Sequence, residues 1–552
     1  MTNQDLANVI FPNIDKDIAY YEEKYPIREL KEGSIVTRFA PSPTGFIHIG
    51  HLFSSFVAQK VAKDTNGVFF LRIEDTDTAR TVENGITNII RDLKNYNITF
   101  DEGMINETSD SGNYGPYLQS NRKEIYHAFA KHLIQEGLAY PCFMSKEEID
   151  KIRENQKETK ERIGIYGKYA RYRDLPVEEA IQKIKNNEHY IIRLKSPGDF
   201  NHRIEIKDVI RGKLEFPEND LDVVIIKSDG LPDYAFAHVV DDHLMRTTHV
   251  IRSDEWLSSL PIHVQLFRAF KFKIPKYAHL SPLMKIDESG TRRKLSKRKD
   301  PESAVSYYHE QGIPKEAVIL YILVVANSNF EAWYDCNKNS SIDEFKFDFK
   351  KVSTSGSLFD YDKLLNISKN YISRLSAQEV YDRTLEYAKE YDKQLEELLI
   401  KYKDYSTAIF NIEREQKKPR KDYTSFSTIK NEIWYMYDEL FKDELEYHFM
   451  KIQDKTEIKN ILTTYIEKYF DEKDDKDTWF NKIKLLTDEL GYASNIKEYK
   501  ENPEQYKGDI TDITTVIRVA VTTSSMTPDL YEILKLLGKD KIKQRFEKVI
   551  CK

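Results

Sequence analysis

Hydrophobic and polar positions in the first part of the chain follow one another as strand, helix and strand. Residues 34–40, SIVTRFA, form an apolar run typical of a buried strand, and residues 52–64, LFSSFVAQKVAKD, carry apolar side chains at helical spacing. An Asn66-Gly67 turn signal precedes a second apolar run, VFFLRI, at 68–73. This order predicts a βαβ unit with a parallel sheet, in which ligands bind at the carboxyl ends of the strands.

The strand pattern is interrupted and then resumes. Apolar runs at 222–230 (DVVIIKSDG) and 249–256 (HVIRSDEW) predict that the same sheet continues there. We therefore interpret the intervening residues, roughly 110–220, as an insertion. The insertion is charged and helix-rich near 145–165, and it becomes strand-like around YIIRLKS.

The chain from about residue 360 onward is almost purely helical in pattern. Near its end, Thr527-Pro528 predicts the start of a helix and Gly538 predicts its end. The apolar stripes of this region indicate the core faces of a helical module and carry no chemistry.

Length and composition set the broad class of protein. A chain of 552 residues is too long for one core, and its 40% hydrophobic and 32% charged residues are ordinary for a water-soluble protein. We expect no membrane span, since no run of about 18 apolar residues occurs, and no secretory signal, since the N-terminus is acidic. Three widely spaced cysteines suit a reducing compartment. The net charge of −7 argues against bulk attraction to nucleic acid but leaves room for local basic surfaces.

The loop after the first predicted strand, APSPTGFIHIGH at 40–51, is the first candidate for chemistry. It has neither the dinucleotide-binding nor the P-loop glycine pattern, yet it opens a helix, where free backbone N–H groups and the helix dipole favour an anion. His48 and His51 share one face of that first turn, and Gly50 leaves room for a ligand against the backbone. Taken alone, the pair fits a structural role, phosphate binding or a metal site, although no third metal ligand stands at an obvious spacing.

The second candidate is the basic segment TRRKLSKRKD at 291–300, with six cationic residues against one aspartate. Such a run is either a solvated surface patch or a loop that closes over a triphosphate. Lys294 and Lys297 stand three residues apart with a serine between them, and Arg298 follows. Lysine suits the second interpretation because its compact charge can follow phosphate oxygens as negative charge moves to the leaving group.

Taken together, the two segments resemble a known family. HIGH at 48–51 and KLSKR at 294–298, in this order and on either side of an insertion, are similar to the two signatures of class I aminoacyl-tRNA synthetases. RFAPSPTG at 38–45 and RIEDTD at 72–77 further resemble the glutamyl-tRNA synthetases, and the likeness runs from about residue 34 to the end of the chain.

The resemblance implies an α/β Rossmann-like class I catalytic domain with an α+β insert, followed by an all-α anticodon-binding region of the bacterial type. The implied parts are an N-terminal extension at 1–33, the catalytic domain at 34–113 and 220–262, an acceptor-stem-binding insert at 114–219, a stem-contact region carrying KLSKR at 263–360, and the helical anticodon-binding region at 361–552.

The activity implied by the resemblance is the ligation of L-glutamate to the 3′ end of tRNA(Glu). ATP, with Mg²⁺, is expected to form a glutamyl-adenylate, and AMP and pyrophosphate are released. No covalent enzyme intermediate is required, so positioning and charge stabilisation carry the catalysis. The resemblance also implies a cytoplasmic monomer, and it leaves open whether tRNA(Gln) is charged with glutamate as well.

Three rival interpretations make different predictions. In a glutaminyl enzyme the first motif usually has a sequence closer to PPEPNG than to the APSPTG found here, and the anticodon-binding part is a β-barrel. A tRNA-independent or tRNA-modifying relative lacks the helical C-terminal region. A non-catalytic tRNA-binding paralogue should have lost one of the two signatures, and both are intact here.

Roles for individual residues follow from the matching motif positions. The implied catalytic residues are His48, His51, Lys294 and Lys297. The histidines are expected to hold ATP phosphates, and the lysines are expected to stabilise the transition state and the leaving pyrophosphate. The implied ATP-binding residues are His48, Gly50, His51, Glu255, Trp256, Leu283, Lys297 and Arg298.

A glutamate pocket needs cations for two carboxylates and an anion for the ammonium. The implied residues are Arg38, Ala40, Ser42, Glu74, Tyr234, His238 and Arg252. Arginine suits the carboxylates because it binds them bidentately, and we expect Arg38 with Tyr234 at the side-chain carboxylate. Glu74, with Ser42 and the Ala40 backbone, is expected at the amino group.

One departure from the family pattern concerns metal binding. Some relatives carry a zinc site in the insert, of the form Cys-x-Cys followed later by Cys-x-His. The matching positions here are Cys142, Met144, Ala170 and Tyr172. One thiolate cannot hold a structural zinc, so we expect no protein-bound zinc. We expect Mg²⁺ to arrive on the ATP phosphates, and we assign Asp75 and Asp77 to turn structure rather than to metal binding.

The helical region contains a basic segment, EREQKKPRKDY at 413–423, that ends near Tyr423 and Phe426. Interleaved cations and aromatic rings suit phosphate contacts and stacking on unpaired anticodon bases. The alternative is an exposed loop between helices. The expected tRNA-binding residues are Lys417, Lys418, Arg420 and Lys421.

Overall fold

The computed structural model describes residues 1–77, 81–296, 299–338, 340–441 and 446–551. The chain divides into two compact units. The first comprises Met1–Tyr307 and Ile319–Asp360, and the second comprises Tyr308–Val318 and Tyr361–Lys552.

Strands and helices are numbered here in chain order. Among the described residues the strands are β1 (Val36–Phe39), β2 (Val68–Leu71), β3 (Glu102–Met104), β4 (Asp110–Ser111), β5 (Ala139–Cys142), β6 (Ile191–Leu194), β7 (Arg203–Asp208), β8 (Gly212–Pro217), β9 (Val224–Ile226), β10 (His249–Ser253), β11 (Lys276–Leu280), β12 (Leu283–Ile286), β13 (Arg292–Lys294) and β14 (Ser357–Leu358). The helices are α1 (Asn3–Ile10), α2 (Ile18–Lys24), α3 (Ile49–Asp64), α4 (Gly85–Asn95), α5 (Lys123–Gln135), α6 (Lys146–Glu158), α7 (Val177–Lys185), α8 (Tyr234–Leu244), α9 (Leu260–Ala269), α10 (Val305–Glu310), α11 (Lys315–Ala326), α12 (Phe330–Cys336), α13 (Tyr361–Ile372), α14 (Ala377–Tyr391), α15 (Lys393–Lys401), α16 (Lys403–Asn411), α17 (Ile429–Ile433), α18 (Lys455–Thr464), α19 (Lys476–Glu489), α20 (Ile496–Glu501), α21 (Ile510–Thr522) and α22 (Leu530–Ile550).

The predicted βαβ unit is present as β1, α3 and β2. β1 pairs with β2 in parallel, with Arg38 opposite Phe70, and β2 continues in parallel to β3. All four residues of β1 are buried, including the polar Thr37 and Arg38, as is usual for a strand inside a parallel sheet. α3 begins at Ile49, three residues before the predicted start, because His48 serves as its N-cap.

A second parallel pair lies beside this unit. β10 pairs with β11, with Arg252 opposite His279, and the N–H of Thr248 donates to the carbonyl of Val36 at 3.0 Å. The carboxyl ends of β1 and β10 therefore meet at one edge, where an open parallel sheet binds its ligands.

Strand pairing directly after the expected insertion differs from the expectation in one respect. We expected the run at 222–230 to rejoin the parallel sheet, but β9 pairs antiparallel with β6 in a separate sheet of order β5-β6-β9. An apolar run of four residues does not specify its partner strand, so the sequence pattern alone could not predict this pairing. Conversely, β7 of the insertion pairs with β11 at Asp208 opposite Tyr277.

Residues 1–33 contain α1 and α2 and are tied to the parallel sheet. Arg28 forms a bidentate ion pair with Glu102 of β3, at 2.8 and 2.9 Å, and its guanidinium lies 3.8 Å from the ring centroid of Tyr114. The hydroxyl of Tyr25 donates to the carbonyl of Gly115 at 2.7 Å. This extension is therefore part of the first unit.

The second unit is helical, as the sequence predicts. Its core collects the apolar stripes of α15, α21 and α22, among them Leu398, Ile513 and Leu534. Gly538 has φ +75° and interrupts α22 at the predicted helix end, a conformation that glycine adopts without a Cβ clash. None of the described helices combines the length and the apolar character that crossing a membrane requires.

Candidate active site

A cavity of about 480 Å³ opens at the carboxyl ends of β1, β10 and β11 in the first unit. Both sequence signatures contribute to its wall. The predicted site residues that line it are Arg38, Ala40, His48, Gly50, His51, Glu74, Tyr234, Arg252, Glu255, Trp256, Leu283 and Lys294. One cavity thus collects residues that the sequence separates by more than two hundred positions.

The histidine pair is built into the first turn of α3. His48 Nδ1 accepts the N–H of His51 at 3.3 Å, and the two rings stack with centroids 3.7 Å apart. A Cβ on Gly50 would lie 3.0 Å from the His48 ring, so glycine permits this close packing. Because Nδ1 accepts, a neutral His48 carries its proton on Nε2, which is a donor for an anionic oxygen.

The second signature begins at the end of a β-hairpin. β12 and β13 pair with Met284 opposite Lys294, and Lys294 forms an ion pair with Glu255. Both side chains are about half exposed, so solvent screens this pair and it contributes little to stability. Lys297 and Arg298 lie outside the described residues.

Asp300 anchors the segment that contains the second signature. Its carboxylate accepts two hydrogen bonds from Arg293, at 2.6 and 2.7 Å, and one from the Ser296 N–H at 2.8 Å. The hydrogen bonds from Arg293 lower the pKa of Asp300 well below its usual range. Downstream, the N–H of Val305 donates to the carbonyl of Ile47 at 3.3 Å. The backbone after the second signature therefore lies against the first.

Two buried arginines face the other end of the cavity. Arg38 Nε lies 3.2 Å from both carboxylate oxygens of Asp242, and Arg252 donates to the hydroxyl of Tyr234 at 3.1 Å. The ring of Tyr234 packs on Trp256 with centroids 4.4 Å apart. Guanidinium groups held this way present fixed donors to a carboxylate in the cavity.

Glu74 supplies a negative charge to the same cavity. It pairs with Arg72 at 3.0 Å, and Arg72 also donates to Asp242 at 2.7 Å. Burial raises the pKa of Glu74, although the charges of Arg72 and Arg38 oppose that shift. For Asp242, burial works against ionisation, but Arg38 and Arg72 outweigh it and lower the pKa. Arg38 and Glu74 on the cavity wall are thus joined to buried Arg72 and Asp242 in a network of alternating charges.

Comparison with known proteins gives the family. A family model described as "tRNA synthetases class I (E and Q), catalytic domain" matches residues 34–366. The chain belongs to the class I tRNA synthetases of the E and Q group. A second model, described as "Anticodon binding domain", matches residues 423–550 of this synthetase.

Individual relatives are similar in sequence to this synthetase along its whole length. A glutamate–tRNA ligase of Clostridium perfringens (strain SM101 / Type A) is 49% identical over 553 residues, covering 100% of both chains. The glutamate–tRNA ligase of Acetivibrio thermocellus is 47% identical over 552 residues, again covering 100% of both. A crystal structure of a glutamate tRNA ligase from Elizabethkingia meningosepticum, in complex with its amino acid, has a TM-score of 0.76 at 26% identity and covers 94% of this chain and 99% of that one. The expected α/β class I fold with a helical C-terminal region is confirmed.

Two of the predicted glutamate-binding residues of this synthetase do not line the cavity. Ser42 lies on the exposed side of the loop, where its carbonyl accepts the N–H of Thr44 at 2.8 Å. His238 has no exposed surface and lies behind Tyr234, between Tyr277 and Asp242, at 3.0 and 3.1 Å from them. Burial lowers the pKa of His238 well below its usual value, so the ring is neutral. His238 therefore supports the wall of the cavity.

Sequence reasoning missed the groups that hold this synthetase's arginines in place. Asp242 and His279 are buried and contact Arg38 and Arg252 respectively. A signal for Asp242 was present: α8 is apolar over most of its length, and charged residues inside such a helix indicate buried ion pairs.

The predicted tRNA-binding segment of the second unit is only partly as expected. Lys417 and Lys418 are exposed, while Arg420 is paired with Asp422 at 2.6 Å and Lys421 contacts Asn370 at 2.5 Å. Of the two interpretations left open for this segment, the stacking of anticodon bases on Tyr423 and Phe426 does not fit the structure. Both rings are buried at 9% and 6% exposure, because they pack against the apolar side chains of the helical core.

Proposed function

We propose that this chain ligates L-glutamate to the 3′ end of tRNA(Glu), using ATP and passing through a glutamyl-adenylate. The observation that carries the proposal is the single cavity that brings the histidine pair and Lys294 together with two buried arginines and Glu74. Full-length relatives named glutamate–tRNA ligase support the choice of substrate.

In this proposal ATP lies against the first turn of α3. The helix N-terminus, His48 and His51 hold the phosphates, and Gly50 lets them approach the backbone. Lys294 exchanges its ion pair with Glu255 for the more highly charged triphosphate, and Lys297 stabilises the leaving pyrophosphate. Mg²⁺ enters as part of the substrate, bound to the phosphates.

Glutamate occupies the opposite end of the cavity in this proposal. Arg38 and Arg252 bind its two carboxylates, and Glu74 faces the ammonium. The sequence suggested Tyr234 as the partner of Arg38, but its hydroxyl accepts from Arg252, so we place Tyr234 with Arg252. A substrate ammonium would favour the charged form of Glu74, which burial disfavours when the chain is alone. The attacking carboxylate and the α-phosphate would then meet above Gly50, as positioning catalysis requires.

Aminoacylation with purified tRNA(Glu) and tRNA(Gln) tests the proposal. We expect labelled glutamate to be attached to tRNA(Glu), and glutamine, which lacks the second carboxylate, to be attached to neither tRNA. Attachment of glutamine, or no attachment of glutamate to either tRNA, would contradict the assignment. Transfer of glutamate to tRNA(Gln) as well would widen the substrate range without changing the reaction.

We propose further that the chain binds no zinc. The matching positions Cys142, Met144 and Ala170 lie in one apolar cluster, with Tyr172 packed against it. Packing of this kind fills the space that metal ligands would occupy. Among the described residues, no group of three His, Cys, Asp or Glu side chains could hold a metal ion. The three cysteines are free, which suits the proposed cytoplasmic location, and we propose that the enzyme acts as a monomer.

Neutralising the basic loop of the second unit should weaken tRNA binding. We expect the double substitution Lys417→Gln with Lys418→Gln to lower the affinity for tRNA(Glu) by roughly tenfold near 100 mM salt. It should also reduce the salt dependence of binding, because each lysine removed eliminates about one phosphate contact and the counterion released by it. Filter binding over a series of salt concentrations measures both quantities. The matched control is Lys497→Gln with Lys500→Gln, which neutralises two lysines of α20 in the same unit. Equal effects of the two pairs would contradict a specific role for the loop.

A further inference from the structure

Arg252 is a buried cation whose described partners are all neutral. Its Nε donates to His279 Nε2 at 3.1 Å, and its two terminal nitrogens donate to the Tyr234 hydroxyl at 3.1 Å, His263 Nδ1 at 3.3 Å and the Trp256 carbonyl at 3.4 Å. Arg252 is 6% exposed, and among the described residues no carboxylate forms an ion pair with it. Arg38 differs, because Asp242 compensates its charge. A buried charge without a counter-ion is costly, so Arg252 is prepared for an incoming carboxylate.

The direction of the hydrogen bonds fixes the tautomer of His279. A guanidinium only donates, so His279 Nε2 must accept from Arg252, and the ring proton must lie on Nδ1. Nδ1 is 2.7 Å from Asp208 Oδ2, to which it therefore donates. His279 has no exposed surface, and burial lowers its pKa although Asp208 opposes that shift, which keeps the ring in this neutral form.

Asp208 is held by several backbone donors at the end of β7. Its Oδ2 also accepts the N–H of His279 at 3.1 Å, and its Oδ1 accepts the N–H groups of Ile210 and Arg211, each at 2.9 Å. Burial opposes the ionisation of Asp208, but the hydrogen bonds from His279 and Arg211 outweigh it and lower the pKa. With four donors directed at it, this carboxylate has little freedom to move.

We propose that Asp208 and His279 are positioning residues that orient Arg252 toward the substrate carboxylate. Asp208 fixes the tautomer and angle of His279, and His279 Nε2 fixes the plane of the guanidinium. Since Asp208 belongs to β7 of the insertion, this relay joins the insertion to the amino-acid end of the cavity. The inference rests on the proposed function only in naming the carboxylate as that of glutamate.

Steady-state kinetics of glutamate-dependent ATP–pyrophosphate exchange, with saturating tRNA(Glu), test the relay. We expect His279→Leu and Asp208→Asn to raise the KM for glutamate by roughly ten- to a hundredfold, because hydrogen bonds to charged groups are strong, while the KM for ATP stays within about twofold. His279→Gln places an amide oxygen within reach of Arg252 and should restore most of the loss. The matched control is Glu205→Gln, which changes an exposed carboxylate of the same strand.

The outcomes separate a positioning role from a merely structural one. A damaged fold would change the kinetics for both substrates and would not be rescued by His279→Gln. An unchanged glutamate KM in folded His279→Leu, or equal increases for glutamate and ATP, would overturn the relay.

A measurement made without substrate tests the relay independently of the proposed function. In ¹⁵N-histidine NMR of the full chain, the resonances lost in His279→Gln should show a protonated Nδ1 and an unprotonated Nε2. The opposite tautomer would overturn the relay even in an active enzyme. If the wild-type chain charges no tRNA with glutamate, the proposed function fails, and this tautomer still decides whether the relay exists.

Discussion

Replacing His51 with alanine should slow the formation of glutamyl-adenylate by about 10²–10³-fold, the usual cost of removing one donor from a charge-stabilising site. His51 lies on the cavity wall in the first turn of α3, with its ring stacked on His48 at 3.7 Å. Alanine would remove one imidazole from the proposed phosphate site and would leave the His48 ring without its stacking partner. The helix itself should persist, since alanine is the best helix former.

ATP–pyrophosphate exchange with glutamate and tRNA(Glu) measures this effect, and filter binding measures the affinity for tRNA. We expect that affinity to stay within about twofold, because the contact proposed for His51 is with the ATP phosphates and not with tRNA. His202→Ala serves as the control, since that side chain is 67% exposed. An exchange rate in His51→Ala within threefold of the wild-type rate would remove His51 from the site.

Contiguous motifs made the position of the histidine pair on the cavity wall predictable from sequence. The residues of HIGH lie in the N-cap and first turn of one helix, so their spacing in the sequence predicts which side chains share a face. The start of α3 was less predictable, because the N-cap is a histidine and the common capping residues are Ser, Thr, Asp and Asn.

Features that depend on distant segments could not be predicted in the same way. The pairing of β9 with β6 is decided by tertiary packing, since a three-residue strand carries too little pattern to choose its neighbour. His238 stands four residues after Tyr234 and shares its helix face, yet one turn of α8 moves it out of the cavity and into full burial. The partners of the two arginines are likewise distant in sequence: Asp242 is 204 positions from Arg38, and His279 is 27 positions from Arg252.

Replacing Asp242 is the substitution from which we expect the largest loss of folding stability. Replacing it with alanine would leave Arg38 and Arg72 buried without their shared carboxylate, which costs about 3–5 kcal/mol in the free energy of unfolding. Urea unfolding followed by tryptophan fluorescence measures the change, with Trp256 and Trp333 reporting on the first unit. Asp174→Ala is the control, because Asp174 pairs with Lys195 at a side-chain exposure of 79% and its loss should cost at most about 1 kcal/mol.

The pH dependence of this difference gives an independent check on the ion pairs of Asp242. Its pKa is lower in the folded chain than in the unfolded one, because Arg38 and Arg72 outweigh the effect of burial. The stabilisation is therefore complete above the unfolded pKa of about 3.9 and is lost as the pH falls through the lower folded value. The gap between wild type and Asp242→Ala should accordingly be constant from pH 7 to about 5 and shrink below about 4. A cost under about 1 kcal/mol at pH 7, or a gap that widens in acid, would show that Asp242 does not hold the two arginines.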